Sequence, residues 1–151
     1  MKGQTLRILM ILTLAATMAL DSVNAQSLNF SLDVPYAFSV GDKELPAGSY
    51  KIHRSPLGLE DVLVIESIDG KISHQFKMKI FLSKESATEN KKLIFAKYGD
   101  QHFLSQIWAI SPLGKSTRYQ INKGKREVDL EKKAKQDQSS PQPEVVSLVI
   151  K

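Results

Sequence analysis

Ser27-Leu28-Asn29-Phe30-Ser31-Leu32-Asp33-Val34-Pro35-Tyr36-Ala37-Phe38-Ser39-Val40 decides the fold class. Leu28, Phe30, Leu32, Val34, Tyr36, Phe38 and Val40 take every even position, while the odd positions carry Ser, Asn, Asp, Pro and Ala. Successive side chains on a strand point to opposite faces. A period of two therefore gives a strand with one dry and one wet face, as in an antiparallel sheet. Pro35 has no N–H to donate to a neighbour, so it marks an edge, a bulge or a break into two strands.

Downstream, Gly41-Asp42-Lys43-Glu44 turns the chain, and Leu45-Pro46-Ala47-Gly48 leads into a short strand, Ser49–Arg54, with Tyr50 and Ile52 on one side. Val62-Leu63-Val64-Ile65 is continuously apolar and β-branched apart from Leu63, which suits a strand covered on both faces. Asp69-Gly70 predicts a type I′ hairpin. Its return strand, Lys71–Ser83, would turn Ile72, His74, Phe76, Met78, Ile80 and Leu82 inward and Lys71, Lys77 and Lys79 outward. Lys84–Asn90 reads as a polar loop. Leu93–Tyr98 and His102–Ile110 read as a hairpin about Gly99-Asp100, with Leu104, Trp108 and Ile110 sharing one face. A turn at Ser111–Gly114 precedes a short strand, Thr117–Ile121.

The composition changes after Asn122. Lys123–Gln136 is highly charged and sets Asp129 before Lys133 and Glu131 before Lys135, acid-before-base pairs one helical turn apart. We read a short, mostly solvated helix capped near Asn122, with a disordered charged tail as the alternative. Residues 123–143 form this charged segment plus a linker, and 144–150 a C-terminal strand. The expected fold is all-β: an antiparallel β-sandwich or small β-barrel of seven or eight strands with one short charged helix near the C-terminus.

Lys2 and Arg7 precede an uncharged run, Ile8–Leu20, and Val23-Asn24-Ala25 places small or aliphatic residues before Gln26. This is the pattern of a secretory signal peptide. The run is shorter than the ~20 apolar residues a membrane span requires. The expected organisation is a signal peptide over 1–25 and a single β-rich domain over 26–151. The expected location is the periplasm or the medium, with no integral membrane segment after cleavage. The absence of cysteine excludes disulfides, thiol catalysis and Cys-ligated metals, so packing alone must hold the fold. A net charge of +5 is modest; it is compatible with an envelope component or a polyanion as partner and specifies neither.

Two blocks carry a family resemblance. Val34-Pro35-Tyr36-Ala37-Phe38-Ser39-Val40-Gly41-Asp42-Lys43-Glu44-Leu45-Pro46-Ala47-Gly48-Ser49-Tyr50 is similar to a VPF-x-F-x-VG-x-x-x-LPAG-x-Y signature. Phe95-Ala96-Lys97-Tyr98-Gly99-Asp100-Gln101-His102-Phe103-Leu104-Ser105-Gln106-Ile107-Trp108 is similar to an F-x-RYGD-x-YFLSQVW block. With the charged segment and valine-rich final strand, the chain resembles a family of small exported acidobacterial proteins defined by those motifs. Lys97 stands where the family has Arg, and His102 where it has an aromatic residue. The resemblance implies an exported β-rich domain and brings no catalytic residues. Pro35, Gly41, Leu45, Pro46, Gly48, Tyr50, Tyr98, Gly99, Asp100 and Trp108 read as fold-determining corner and core positions.

The chemistry in the sequence is sparse. No G-x-S-x-G elbow, H-E-x-x-H helix or phosphate-cradling glycine loop occurs. His53, His74 and His102 lie on separate strands without the short spacing that nucleates a zinc site. Asp100 and His102, beside one turn, are the best acid–base or metal-ligating candidates. Lys71, Lys77 and Lys79 share a wet face that would suit a polyanion, but the aromatics are expected on dry faces. No catalytic, cofactor or metal residue is assigned. The leading expectation is a non-catalytic binding or envelope-interaction module; the alternative is a small metal-assisted hydrolase using Asp100 and His102.

Overall fold

A computed structural model describes residues 28–86, 91–110, 114–136 and 142–150. The expected signal peptide, 1–25, lies outside the described residues, as do 87–90 of the expected polar loop, 111–113 of the expected last turn and 137–141 of the expected linker. Among the described residues the fold is all-β with a single helix. Its strands are β1 (Asn29–Val34), β2 (Phe38–Val40), β3 (Lys43–Leu45), β4 (Gly48–Arg54), β5 (Val62–Ser67), β6 (Ser73–Ser86), β7 (Lys92–Tyr98), β8 (Gln101–Ile110), β9 (Lys115–Ile121) and β10 (Glu144–Val149). The helix, α1, spans Lys125–Gln136.

The strands pair in the order β1-β4-β5-β6-β9-β8-β2-β3, with β7 on the other edge of β8 and β10 beyond it. Every pairing is antiparallel except β2 with β8, so the sheet is mixed; it is also not closed, which removes the barrel option. Ten strands replace the expected seven or eight because Pro35 breaks the opening segment and two three-residue strands flank the Gly41-Asp42 turn. The break has a function in the fold. It lets β1 pair with β4 in one half of the sheet while β2 joins β8 in the other.

Strand β6 belongs to both halves. Residues 73–77 pair with β5, and from Met78 onward the partner is β9. One core fills the space between the halves, with Leu32, Tyr50, Ile52, Leu63, Ile65 and Phe76 from one side and Phe38, Phe95, Leu104, Ile107 and Tyr119 from the other. The ring of Phe38 meets Tyr50 edge-on at 5.5 Å and Phe95 at 5.7 Å, which joins the halves at the centre. The even-numbered face of the opening segment is buried at Leu28, Leu32, Val34, Phe38 and Val40, with Tyr36 half-buried; the Phe30 side chain is outside the described set.

Leu45 is buried, and the Tyr50 hydroxyl donates to the Pro46 carbonyl at 2.7 Å, so Tyr50 ties down the corner that starts its own strand. Gly48 has φ 159°, close to extended, and pairs with Val34 as the first residue of β4. The β5–β6 connection differs from the expected turn. Gly70 alone in this connection has positive φ (71°); the Ser67 N–H donates to the Ile72 carbonyl, and the Ser67 hydroxyl and Lys71 N–H both donate to the Asp69 carboxylate, closing a longer loop. Type I′ geometry needs positive φ at both central residues, which Asp69 does not adopt.

Two further expectations are corrected. Strand β6 continues to Ser86, so Lys84–Ser86 is strand and not loop, and its inward face is lost past Met78: Ile80 and Leu82 are exposed. On β8, pairing with β7 jumps from Ile94–Gln106 to Phe95–Leu104, leaving Ser105 as the extra residue of a bulge. The alternation changes phase there. Leu104 is buried, then Ile107 and Ala109, so Trp108 and Ile110 point outward and do not share the Leu104 face.

Helix α1 is held from a distance. The Lys125 N–H donates to Asp42 Oδ1 at 2.6 Å, and Arg126 Nη1 donates to Glu44 Oε2 at 2.9 Å. The cap therefore comes from the β2–β3 turn, not from Asn122. Gly124 lies so close to that turn that a Cβ would overlap the Gly41 carbonyl. Of the two expected helix pairs, Glu131–Lys135 forms at 3.0 Å, and Glu131 also accepts from Lys123 at 2.8 Å. Among the described residues Asp129 and Lys133 form no ion pair.

Candidate functional site

The β7–β8 turn brings Asp100 and His102 to one shallow hollow of about 60 Å³, shared with Ser39, Glu44, Gln101 and Arg126. Asp100 is exposed, whereas the His102 ring stacks on Tyr36 with centroids 3.9 Å apart. Burial holds the His102 imidazole below its usual pKa, helped by Lys97 and opposed by Asp100. Its Nδ1 is buried without a hydrogen-bond partner, as are the Tyr36 hydroxyl and Gln101 Oε1. No hydrogen bond links Asp100 to His102 among the described residues, and Ser39 donates to neither. The hollow has room for a few waters, far below the ~300–1,000 Å³ of a typical ligand pocket. Among the described residues no group of three or more His, Asp or Glu is placed to hold a metal ion.

His53 lies on β4, 3.8 Å from Glu66 on the neighbouring strand, and His74 is half-buried on β6, where burial and Lys43 lower its pKa. The three histidines do not converge. Of the corner positions, Leu45, Tyr50 and Tyr98 are buried, and Gly41 and Gly99 hold the left-handed turn conformation at φ 58° and 59°.

The more developed surface is the outward face of β6, β9, β8 and β7. Register places Phe81 opposite Arg118, Arg118 opposite Trp108, and Trp108 opposite Lys92, one residue on each of four adjacent strands. The Arg118 guanidinium carbon lies 4.8 Å from the Phe81 ring centroid and 5.7 Å from that of Trp108, and Lys92 Nζ lies 5.3 Å from Trp108. Aromatic and cation thus alternate across the sheet, each ring contacting a positive charge. Trp108 Nε1 donates to Gln106 Oε1 at 3.0 Å, and Gln120 Nε2 to the carbonyl of the bulged Ser105 at 3.0 Å, which fixes the floor of the row. The described outward positions around it are Lys79, Ile94, Gln106, Ile110, Ser116 and Gln120, with Ser147 and Val149 on β10, none of them a carboxylate.

Strict alternation along β8 would put Trp108 on the Leu104 face and hide this row. The signal was present in Phe103-Leu104-Ser105-Gln106-Ile107, where the apolar residues leave strict alternation. What no local pattern contains is the register that aligns Phe81, Arg118 and Lys92 with Trp108.

A third group of residues lies beneath α1. Tyr98, Phe103 and Ala134 pack together with Leu130 against them. Glu127 is buried at 2% exposure beside them, with Oε1 unpartnered. Burial pushes its carboxyl up to about 7; Lys123 opposes the shift and Glu131 adds to it.

No protein-family model, curated protein or solved structure matches this chain. The arrangement of residues is therefore the basis for any functional reading. Among the described residues no helix is long and apolar enough to cross a membrane.

Proposed function

We propose that the protein is an exported, non-catalytic binding module of the cell envelope that takes anionic ligands on the outer face of β6, β9, β8 and β7. One observation carries this reading: the Arg118 guanidinium is held between the Phe81 and Trp108 rings. A guanidinium between two rings has already lost most of its rotamer freedom, so less entropy is lost when its donors meet a carboxylate, sulfate or phosphate. Lys79 and Lys92 add charge on the same face. Electrostatic complementarity of this kind favours many anionic groups in series over a single small anion. The export half of the proposal rests on the Lys2–Ala25 pattern.

Binding to sulfated dextran, with neutral dextran as control, tests the reading. The sulfated polymer should bind and should be released by salt, because exposed charges are screened within ~10 Å at 0.1 M ionic strength. Arg118→Ala should weaken binding roughly tenfold or more, and Arg118→Lys should fall between, keeping the charge without the planar fork. No binding at low salt, or Arg118→Ala binding as well as the parent, would overturn the proposal.

A further inference from the structure

Among the described residues, β6 leaves its partner β5 beyond Met78 and runs on with β9 alone. On this free edge Ile80, Phe81 and Leu82 are 41%, 44% and 75% exposed. Ile80 and Leu82 point to the core side of the sheet and Phe81 to the outer side. Ile110 of β8, opposite Ser116, adds a further 44% exposed apolar side chain at the same end. One end of the sheet is therefore apolar on both faces and flanked by Lys79 and Arg118. Isolated exposed apolar residues are ordinary, but three in succession on a strand paired along one edge only, with a fourth beside them, form a contact surface.

Resting on the proposed anion-binding face, we infer that the ligand is the surface of an anionic lipid bilayer. Lipid phosphates meet Arg118 and Lys79, and Ile80, Phe81, Leu82 and Ile110 enter the boundary between headgroups and acyl chains. Charge complementarity selects this occupant. A soluble polyanion uses the cations and leaves Leu82 in water, whereas a bilayer uses both. A second copy pairing along the free edge of β6 would bring Lys79 into the seam, and edge lysines oppose such pairing. The unpaired backbone groups of that edge also keep the strand at interfacial depth, because hydrocarbon offers them no hydrogen-bond partner.

Co-sedimentation with vesicles tests the inference, using phosphatidylcholine alone and an equal mixture with phosphatidylglycerol. The protein should pellet with the mixed vesicles and bind the neutral ones roughly tenfold or more weakly. Leu82→Ser and Ile110→Ser should each weaken vesicle binding severalfold while leaving sulfated-dextran binding and the melting temperature unchanged. Dextran binding without vesicle binding, or vesicle binding indifferent to both substitutions, overturns the lipid inference and leaves the anion-binding proposal standing. Failure to bind either ligand overturns both. A dimer in light scattering that Leu82→Ser dissolves would assign the patch to a second copy and overturn the lipid inference as well.

Discussion

Two apolar runs lie on neighbouring strands and meet opposite fates. Val62-Leu63-Val64-Ile65 of β5 is buried at every residue, whereas Ile80-Phe81-Leu82 of β6 is exposed at every residue. Both are continuously apolar, and both suit a strand. The difference is their position in the sheet. Strand β5 has β4 on one edge and β6 on the other, with Leu63 and Ile65 in the shared core. Distal β6 has run past the end of β5 and keeps one partner. An apolar strand marks a contact; whether that contact is made by folding or left for a ligand depends on what flanks it.

The largest expected effect lies in the interior run. Leu63→Ala should cost ~2–5 kcal/mol, the lost transfer energy plus the cavity left in a site with 0% exposure. Urea unfolding measures it. An unchanged midpoint would show that the two runs do not differ.

Glu127 tests how far the interior extends beneath α1. Its folded pKa of about 7 exceeds the reference value of 4.5, so between those values the folded state holds the extra proton. Stability contributed at low pH is then lost as pH rises from 4.5 through 7, by about 3 kcal/mol at most. Glu127→Gln should flatten that part of the stability–pH curve and raise stability at pH 8. Parallel curves for the parent and the variant would place Glu127 in water and the helix outside the packed interior.

Gly124→Ala should be destabilising by roughly 1–3 kcal/mol, since the added Cβ overlaps the Gly41 carbonyl and must separate α1 from the β2–β3 turn. Chemical denaturation, with helical circular dichroism as a second probe, reads the effect. A neutral result would show that the helix sits loosely on the sheet.

The smallest effect is expected at the outer run. Leu82→Ala should change stability by no more than about 0.5 kcal/mol, as for surface substitutions generally. Set beside Leu63→Ala, it is the same chemical deletion on the adjacent strand. A large loss at Leu82 would mean that distal β6 is covered in the folded protein and would collapse the contrast.

Local alternation and turn chemistry were sufficient for most of the strands. Leu28, Leu32, Val34, Phe38 and Val40 are buried because a strand's period matches their spacing, and Pro35 ends pairing because it lacks an N–H. Helix α1 was legible from its i,i+4 charges, though its cap was not. Asp42 is far from Lys125 in sequence, and only the fold brings the β2–β3 turn beneath the helix. The nearness of Asp100 and His102 was legible because both lie beside one turn; the row from Phe81 to Lys92 was not.

Sequence alone determined that this chain is all-β, cysteine-free and held by packing, with its strands punctuated by Gly and Pro turns. Those features depend on covalent geometry and nearest neighbours, which the order of residues states directly. Tertiary structure alone decided that β6 spans both halves of an open mixed sheet and that Ser105 reverses the facing of Trp108. It also decided that Arg118 sits between two rings and that Glu127 is buried without a partner for Oε1. Each is a matter of register or docking between segments distant in the chain. A shift of one residue in a strand moves every side chain to the other face, and no local pattern records which register the whole sheet will satisfy.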